Sequence, residues 1–236
     1  MRIKDIYKKQ WQDSSLEKRK EAVDNLDDQY ILSNIAIKDE NESVRIKAVE
    51  KLNDPLILSK IAINDESESV RIKAINKIED EAILANLFKN STEGDNIRGL
   101  ALQRINDYII LTNIAKNSQH LPFAEIAMMK IDDEDILVDI AKNSKNYSIR
   151  AQTVERINNP KVLTDIAKND PHESVRVKAV ARIDYQDVLV DIAKNDPHES
   201  VRVKAVKRIT NPIDLLDIAK KTKITKFLPK KKKCKI

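Results

Sequence analysis

Two histidines are the first residues that metal or acid–base chemistry would recruit. His172 and His198 stand 26 residues apart inside the same sixteen letters, DIAKNDPHESVRVKAV, at 165–180 and again at 191–206. A zinc site needs three or four such donors at matched spacing. The third histidine, His120, is not spaced to complete a site, and the one cysteine, Cys234, offers neither a thiolate cluster nor an internal disulfide. Serine–histidine–aspartate, His-Glu-x-x-His and phosphate-loop patterns are absent, and the only glycines are Gly94 and Gly99. The chain is therefore expected to be no enzyme and to hold no metal or cofactor, and the two histidines read as solvated residues of a helix's first turn.

A second set of chemically capable residues is the arginine series Arg19, Arg45, Arg71, Arg98, Arg150, Arg176 and Arg202, with Ala124 in the one vacant slot. On a helical wheel of 100° per residue, Arg176 falls in the middle of a broad apolar arc formed by Val175, Val177, Ala179, Val180 and Ile183. A guanidinium placed there is buried, and a buried guanidinium requires a partner. Anion binding is one use for such residues. Recurrence in nearly every repeat favours a structural one, and the aspartate series Asp13, Asp39, Asp65, Asp170 and Asp196 supplies the carboxylates. The expectation is an Asp–Arg ladder within or between repeats. It weakens in the middle of the chain, where Ser91, Ser118 and Ser144 replace the aspartates.

Both series belong to a period of 26 residues that runs through the chain. Ile-Ala pairs mark it at 35–36, 61–62, 114–115, 140–141, 166–167, 192–193 and 218–219, with Leu87-Phe88 in the gap and one interval of 27. Such a period identifies a repeat architecture. Each repeat carries two helical signatures. Helix A, of about nine residues, opens at sites such as Asn53-Asp54-Pro55, Asn159-Pro160 and Asn211-Pro212. Helix B, of about twelve, is expected to follow an aspartate N-cap with a glutamate three residues on: Asp39/Glu42, Asp65/Glu68, Asp170/Glu173, Asp196/Glu199. Helices this short are marginal alone and persist by stacking. The fold class expected is all-α, a right-handed α-α superhelix of about eight two-helix repeats over 1–220. Residues 1–26 form a capping unit with Trp11 over the first layer, and 221–236 form a disordered polybasic tail.

The pattern of a short helix A with Ile-Ala, a D-P-x-E-S-V-R turn and a helix B with K-A-V resembles the HEAT-like repeats. It is most similar to the leucine-rich-variant type of short α-solenoid. The resemblance covers about 16–220 and is firmest at 35–80 and 133–219. It implies two helices per repeat, one of them 3₁₀-like in the leucine-rich-variant type, with the B helices on the concave face and a role as a binding scaffold; the proline-started A helices here depart from that type in being long enough to be α. HEAT-like DNA glycosylases carry groove aromatics and a catalytic aspartate, a pattern that this chain with one tryptophan does not share.

The exposed side of helix B then holds a basic stripe that includes Lys73, Lys77, Arg104, Lys130, Arg156, Lys178 and Arg182, which reads either as solvated surface with ion pairs between neighbouring layers or as a ligand-facing surface. Leu100, Ile126 and Met129 interrupt it with apolar side chains, an arrangement that suits a protein-binding hot spot. Composition adds boundaries. The chain carries 43 basic and 38 acidic residues, but 220–236 alone holds nine lysines and no acid, so the body is net acidic. No run of 18 apolar residues exists, and the start, MRIKDIYKKQWQ, lacks an apolar signal core, so a cytoplasmic location is expected. Cys234 does not fit a prenylation motif. The reading is a non-enzymatic protein- or peptide-binding scaffold that uses the helix-B face. The alternatives are nucleic-acid binding through the stripe and tail, with peripheral membrane contact also open to the tail, and an accessory subunit or enzyme of the HEAT-like lyase kind.

Overall fold

A computed structural model describes residues 10–90 and 94–222, with backbone alone at 94, 95, 221 and 222. The described residues hold sixteen α-helices and no strand. They are α1 (Leu16–Asp24), α2 (Gln29–Lys38), α3 (Glu42–Lys51), α4 (Pro55–Asn64), α5 (Glu68–Lys77), α6 (Glu81–Asn90), α7 (Gly94–Arg104), α8 (Tyr108–Asn117), α9 (Leu121–Met129), α10 (Glu134–Asn143), α11 (Tyr147–Val154), α12 (Pro160–Asn169), α13 (Glu173–Val180), α14 (Gln186–Asn195), α15 (Glu199–Val206) and α16 (Pro212–Thr222). Odd-numbered helices are of type B and even-numbered ones of type A. The protein is a helical-repeat array of about eight two-helix repeats, and both helices of a repeat are α.

The described residues group into two compact units, Met1–Ile110 and Leu111–Ile236, where sequence reasoning expects a single array. The boundary falls among the irregular repeats, which carry Ser118 and Ala124 in place of an aspartate and an arginine. Within each unit the A helix packs on the B helix that follows it, as α2 does on α3 and α12 on α13, and each B helix packs on the next, as α3 on α5 and α11 on α13. The core consists of thin apolar layers. Leu32, Ile35, Val44, Ala48 and Val49 fill one, and Leu163, Ile166, Val175, Ala179 and Val180 another, all buried. Alanine at the Ala48 and Ala179 column lets neighbouring backbones approach closely enough for such small layers to close without voids.

The expected capping boxes are absent. Asp39, Asp65, Asp170 and Asp196 each close a helix A as its C-cap, at φ −62° to −67°. Helix B starts three residues later, after Asn41, Ser67, His172 or His198. The aspartate turns the chain by accepting the N–H two residues on, from Asn41, Ser67, His172 and His198 at 2.8 to 2.9 Å. Pro171 and Pro197 therefore sit in this turn, whereas Pro55, Pro160 and Pro212 do start helices. Helix B is also shorter than expected: α13 ends at Val180, and buried Ile183 follows in the next turn. Trp11 is half-buried in a turn. Helix α16 extends through Thr222 into the span expected to be tail. The rest of that tail, and most of the helix expected at 3–12, lie outside the described residues.

Candidate functional site

The arginine series is built into the repeat junctions. Arg45 donates Nε and Nη2 to the Asp65 carboxylate at 2.9 and 3.0 Å, and Nη1 to the Asp39 carbonyl at 2.8 Å. Arg150 repeats this with Asp170 at 2.8 and 3.0 Å and with the Ser144 carbonyl at 2.9 Å. Arg176 does the same with Asp196 and with the Asp170 carbonyl, and Arg19 with Asp39 and with the Asp13 carbonyl. Each guanidinium thus bridges two successive repeats, and each aspartate receives three demands at once: the incoming fork, the N–H of its own turn, and a carbonyl bond to the arginine six residues on. Arg45 is 3% exposed, so the carboxylate fork and the carbonyl supply the partners that a buried charge requires. The Asp196 carboxylate also raises the Arg176 pKa further.

Arg71, Arg98 and Arg202 are held by a different set of contacts. Arg71 keeps its bonds to the carbonyls of Asp65 and Glu66, at 2.7 and 3.1 Å, but its Nε is buried with no hydrogen-bond partner among the described residues. Arg98 donates Nε to the Phe88 carbonyl at 3.0 Å and lies over the Phe88 ring at 5.1 Å. Arg202 holds the carbonyls of Asp196 and Pro197.

The basic stripe on helix B is a second set of repeat-to-repeat contacts. Lys73 pairs with Glu50 at 2.5 Å, and Lys77 donates to the Glu50 carbonyl. Arg104 donates to the Ile78 carbonyl at 2.9 Å. Arg156 reaches the Met128 carbonyl and Asp132, both at 2.8 Å. Lys178 pairs with Glu155, and Arg182 donates to the Glu155 carbonyl and, at 3.0 Å, to Asn158. Lys77, Arg104, Arg156 and Arg182, at the C-terminal ends of their B helices, thus meet the orphan carbonyls of the preceding B helix, where the helix dipole is negative. Lys73 and Lys178 are held by carboxylates of the preceding repeat. Lys130, the seventh, is half-buried.

The apolar interruptions differ from these. Met129 is 70% exposed and Ile126 half-buried, three residues apart on α9. One repeat on, the same two positions are Gln152 on α11 and its C-cap Glu155, which are engaged with Glu125 and Lys178. Leu100, half-buried on α7, belongs to the first unit, while Ile126 and Met129 belong to the second.

Two further contact series have partners that sequence reasoning does not name, although it marks the acids of the first. In the second unit, Lys116, Lys142, Lys168 and Lys194 on A helices pair with Asp139, Asp165, Asp191 and Asp217 at 2.9, 2.7, 2.6 and 2.5 Å. The lysine hydrogen bond, helped by Asn143, Asn169 or Asn195, holds the carboxyls of Asp139, Asp165 and Asp191 below the ordinary carboxylate value. The signal was an offset of 23, the period less one helical turn. In alternate repeats Gln29, Glu81, Glu134 and Gln186 accept N–H groups of the next A helix's leading loop, at Asn53, Asn106, Asn158 and Thr210.

Among the described residues no group of three histidine, cysteine or acidic side chains could hold a metal ion, and no helix is long and apolar enough to cross a membrane. His172 accepts the Ser174 N–H at 3.2 Å through Nδ1 and stacks on Tyr147 at 3.8 Å, so it serves as a helix cap. No family model, no curated protein and no solved structure matches the chain.

Proposed function

We propose that the protein is a non-enzymatic scaffold of the HEAT-like kind that binds a protein or peptide on the helix-B face, with Ile126 and Met129 of α9 as the apolar anchor. The observation that carries this reading is a contrast within one template. Where the next B helix joins its neighbour through polar contacts, α9 presents an exposed methionine and a half-exposed isoleucine to solvent. Flexible, polarisable methionine beside a branched aliphatic is a favourable docking element when charged groups rim it. Glu125, Lys130 and Asp132 supply the rim.

Nucleic-acid binding has less support from the stripe, because a cation already facing a carboxylate or helix terminus has little to gain from a phosphate. That alternative rests on the lysines of 221–236.

The test is retention of lysate proteins by immobilised full-length chain after nuclease treatment, compared with an Ile126→Lys/Met129→Lys variant and with Leu100→Lys. The double variant is expected to keep its helicity, to lose about 1 kcal/mol of stability or less, and to lose the proteins that the parent retains. Equal retention by parent and double variant overturns the reading.

A further inference from the structure

Two helices of identical sequence, ESVRVKAV, meet different neighbours: α13 at 173–180 and α15 at 199–206. Helix α15 packs on α13, whereas among the described residues no helix B follows α16 to pack on α15. The end layer is correspondingly open. Arg176 is 5% exposed, and Arg202 is half-buried. Leu189 and Ala193 of α14 are fully buried, while Leu215 and Ala219, in the same columns of α16, are half-buried.

The arginine ladder marks what this layer lacks. Arg202 is fixed by Nη1 bonds to the carbonyls of Asp196 and Pro197 at 2.8 and 2.9 Å. Its Nε and Nη2 have no partner among the described residues, where those of Arg176 hold a carboxylate. The register position of that carboxylate is Thr222, and residues 221–236 contain no aspartate or glutamate. A guanidinium held on one side with two parallel donors open on the other is a carboxylate receptor. In two earlier repeats a glutamate of the next turn also reaches the guanidinium: Glu40 meets Arg19 at 3.1 Å, and Glu66 meets Arg45 at 3.2 Å.

A second column fixes the rest of the ligand's charge. In three repeats the residue two after the arginine pairs with the residue five after the preceding arginine: Lys47 with Asp24, Lys73 with Glu50, Lys178 with Glu155. At the open end the facing residue is Lys207, which is exposed. The incoming helix therefore needs an acid where these B helices carry lysine. The segment that follows α16 does not fit. By register its helix B is 225–232, with Pro229 in the interior, Lys230 opposite Lys207, and Lys231 and Lys232 in the columns of buried Ala205 and Val206. A second copy does not fit either. Only its α1 lacks a preceding repeat, and the helix-A position before α1, where Gln10 is helical, coincides with that of α16.

We infer that the α15–α16 end binds an acidic amphipathic helix of a partner protein. A glutamate of its leading turn enters the Arg202 fork, a second acid meets Lys207, and an apolar stripe covers Leu215 and Ala219. The lysines of 221–236 add long-range attraction for such a segment. This end shares no residue with the α9 site, so either proposal can fail without the other.

The probe is a fluorescein-labelled peptide of residues 197–209 carrying Pro197→Glu and Lys204→Glu, stapled on its solvent face to keep it helical. It is titrated with the full-length protein and read by anisotropy. It is expected to bind at least tenfold more tightly than the same peptide with Lys204 retained or with Pro197→Gln. In the protein, Arg202→Met is expected to weaken it tenfold or more, and Ile126→Lys/Met129→Lys to leave it unchanged. Lys207→Glu, at an exposed position that leaves the fold intact, is expected to reverse the preference in favour of the peptide that retains Lys204. No binding up to about 1 mM overturns the inference, as does binding indifferent to Lys207→Glu. Tighter binding of a labelled single-stranded oligonucleotide, lost in Arg202→Met, would make phosphate the ligand and overturn it. So would a concentration-dependent dimer, seen by sedimentation velocity without peptide and lost in Lys207→Glu, which would make a second copy the occupant.

Discussion

Arg176 and Asp196 are joined across 20 residues of sequence by two parallel hydrogen bonds, Nε to Oδ2 at 2.8 Å and Nη2 to Oδ1 at 3.0 Å. Both residues are buried. The pair ties the B helix of one repeat to the turn of the next, so it couples neighbours in an array whose single repeats have too little core to stand alone. Breaking one side leaves an uncompensated buried charge. Arg176→Met is expected to cost about 3 to 5 kcal/mol, measured by urea denaturation. Asp196→Ala should cost at least as much, because it also removes the acceptor for the His198 N–H. A loss below about 1 kcal/mol in both variants would mean that the ladder behaves like a surface ion pair.

Arg71 offers an internal control. Among the described residues it has no carboxylate fork and its Nε has no partner, while Arg45 one repeat earlier has a full set. Arg71→Met is therefore expected to cost about 1 kcal/mol, the value of its remaining carbonyl bonds, against about 3 to 5 for Arg45→Met. Equal costs at the two sites would show that the carboxylate contributes little.

Replacing Lys178 and Arg182 together by methionine separates the structural from the nucleic-acid role of the stripe. Both side chains contact the preceding repeat at Glu155. The double variant should lose about 1 kcal/mol of stability and keep whatever affinity the parent has for single- or double-stranded DNA, read by fluorescence anisotropy across a salt titration. A tenfold loss of DNA affinity at unchanged stability would return the stripe to a binding role.

The lysine–aspartate pairs of the second unit predict an acid response. The carboxyls of Asp139, Asp165 and Asp191 titrate below their ordinary value of 3.8, chiefly because of hydrogen bonds from Lys116, Lys142 and Lys168. The folded-state pKa is thus depressed below the unfolded one. Their contribution is complete above the unfolded value and is lost as pH falls from there through the folded value. The urea midpoint should therefore drop more steeply below pH 4 in the parent than in a Lys116→Met/Lys142→Met/Lys168→Met variant. High salt should narrow the difference, because these pairs are solvent-exposed. Parallel pH curves for the two proteins would refute the assignment.

The 26-residue period, the two helices of each repeat and the inward direction of the arginines were legible in the sequence, because periodicity and the cost of burying charge depend only on residue type and spacing. Asp39 and Asp170 were legible as turn formers but not as helix C-caps. A carboxylate committed to an arginine 20 residues earlier turns the backbone at its own position and leaves the N-cap to Asn41 or His172. The stripe through Lys73, Arg156 and Arg182 was legible as outward-facing charge open to ion pairs between neighbouring repeats, but a wheel shows only which side chains point outward and does not say which acids and carbonyls the preceding repeat places beside them. The two DIAKNDPHESVRVKAV segments make the limit plain. His172 accepts the Ser174 N–H and stacks on Tyr147, while His198 makes no side-chain cap bond. The sixteen letters are identical, and the column that holds Tyr147 for one repeat holds Glu173 for the next. Local sequence by itself determined the helices, the turn and the layer in both segments. What each histidine touches was decided only when a neighbouring repeat, distant by one period, was folded against it.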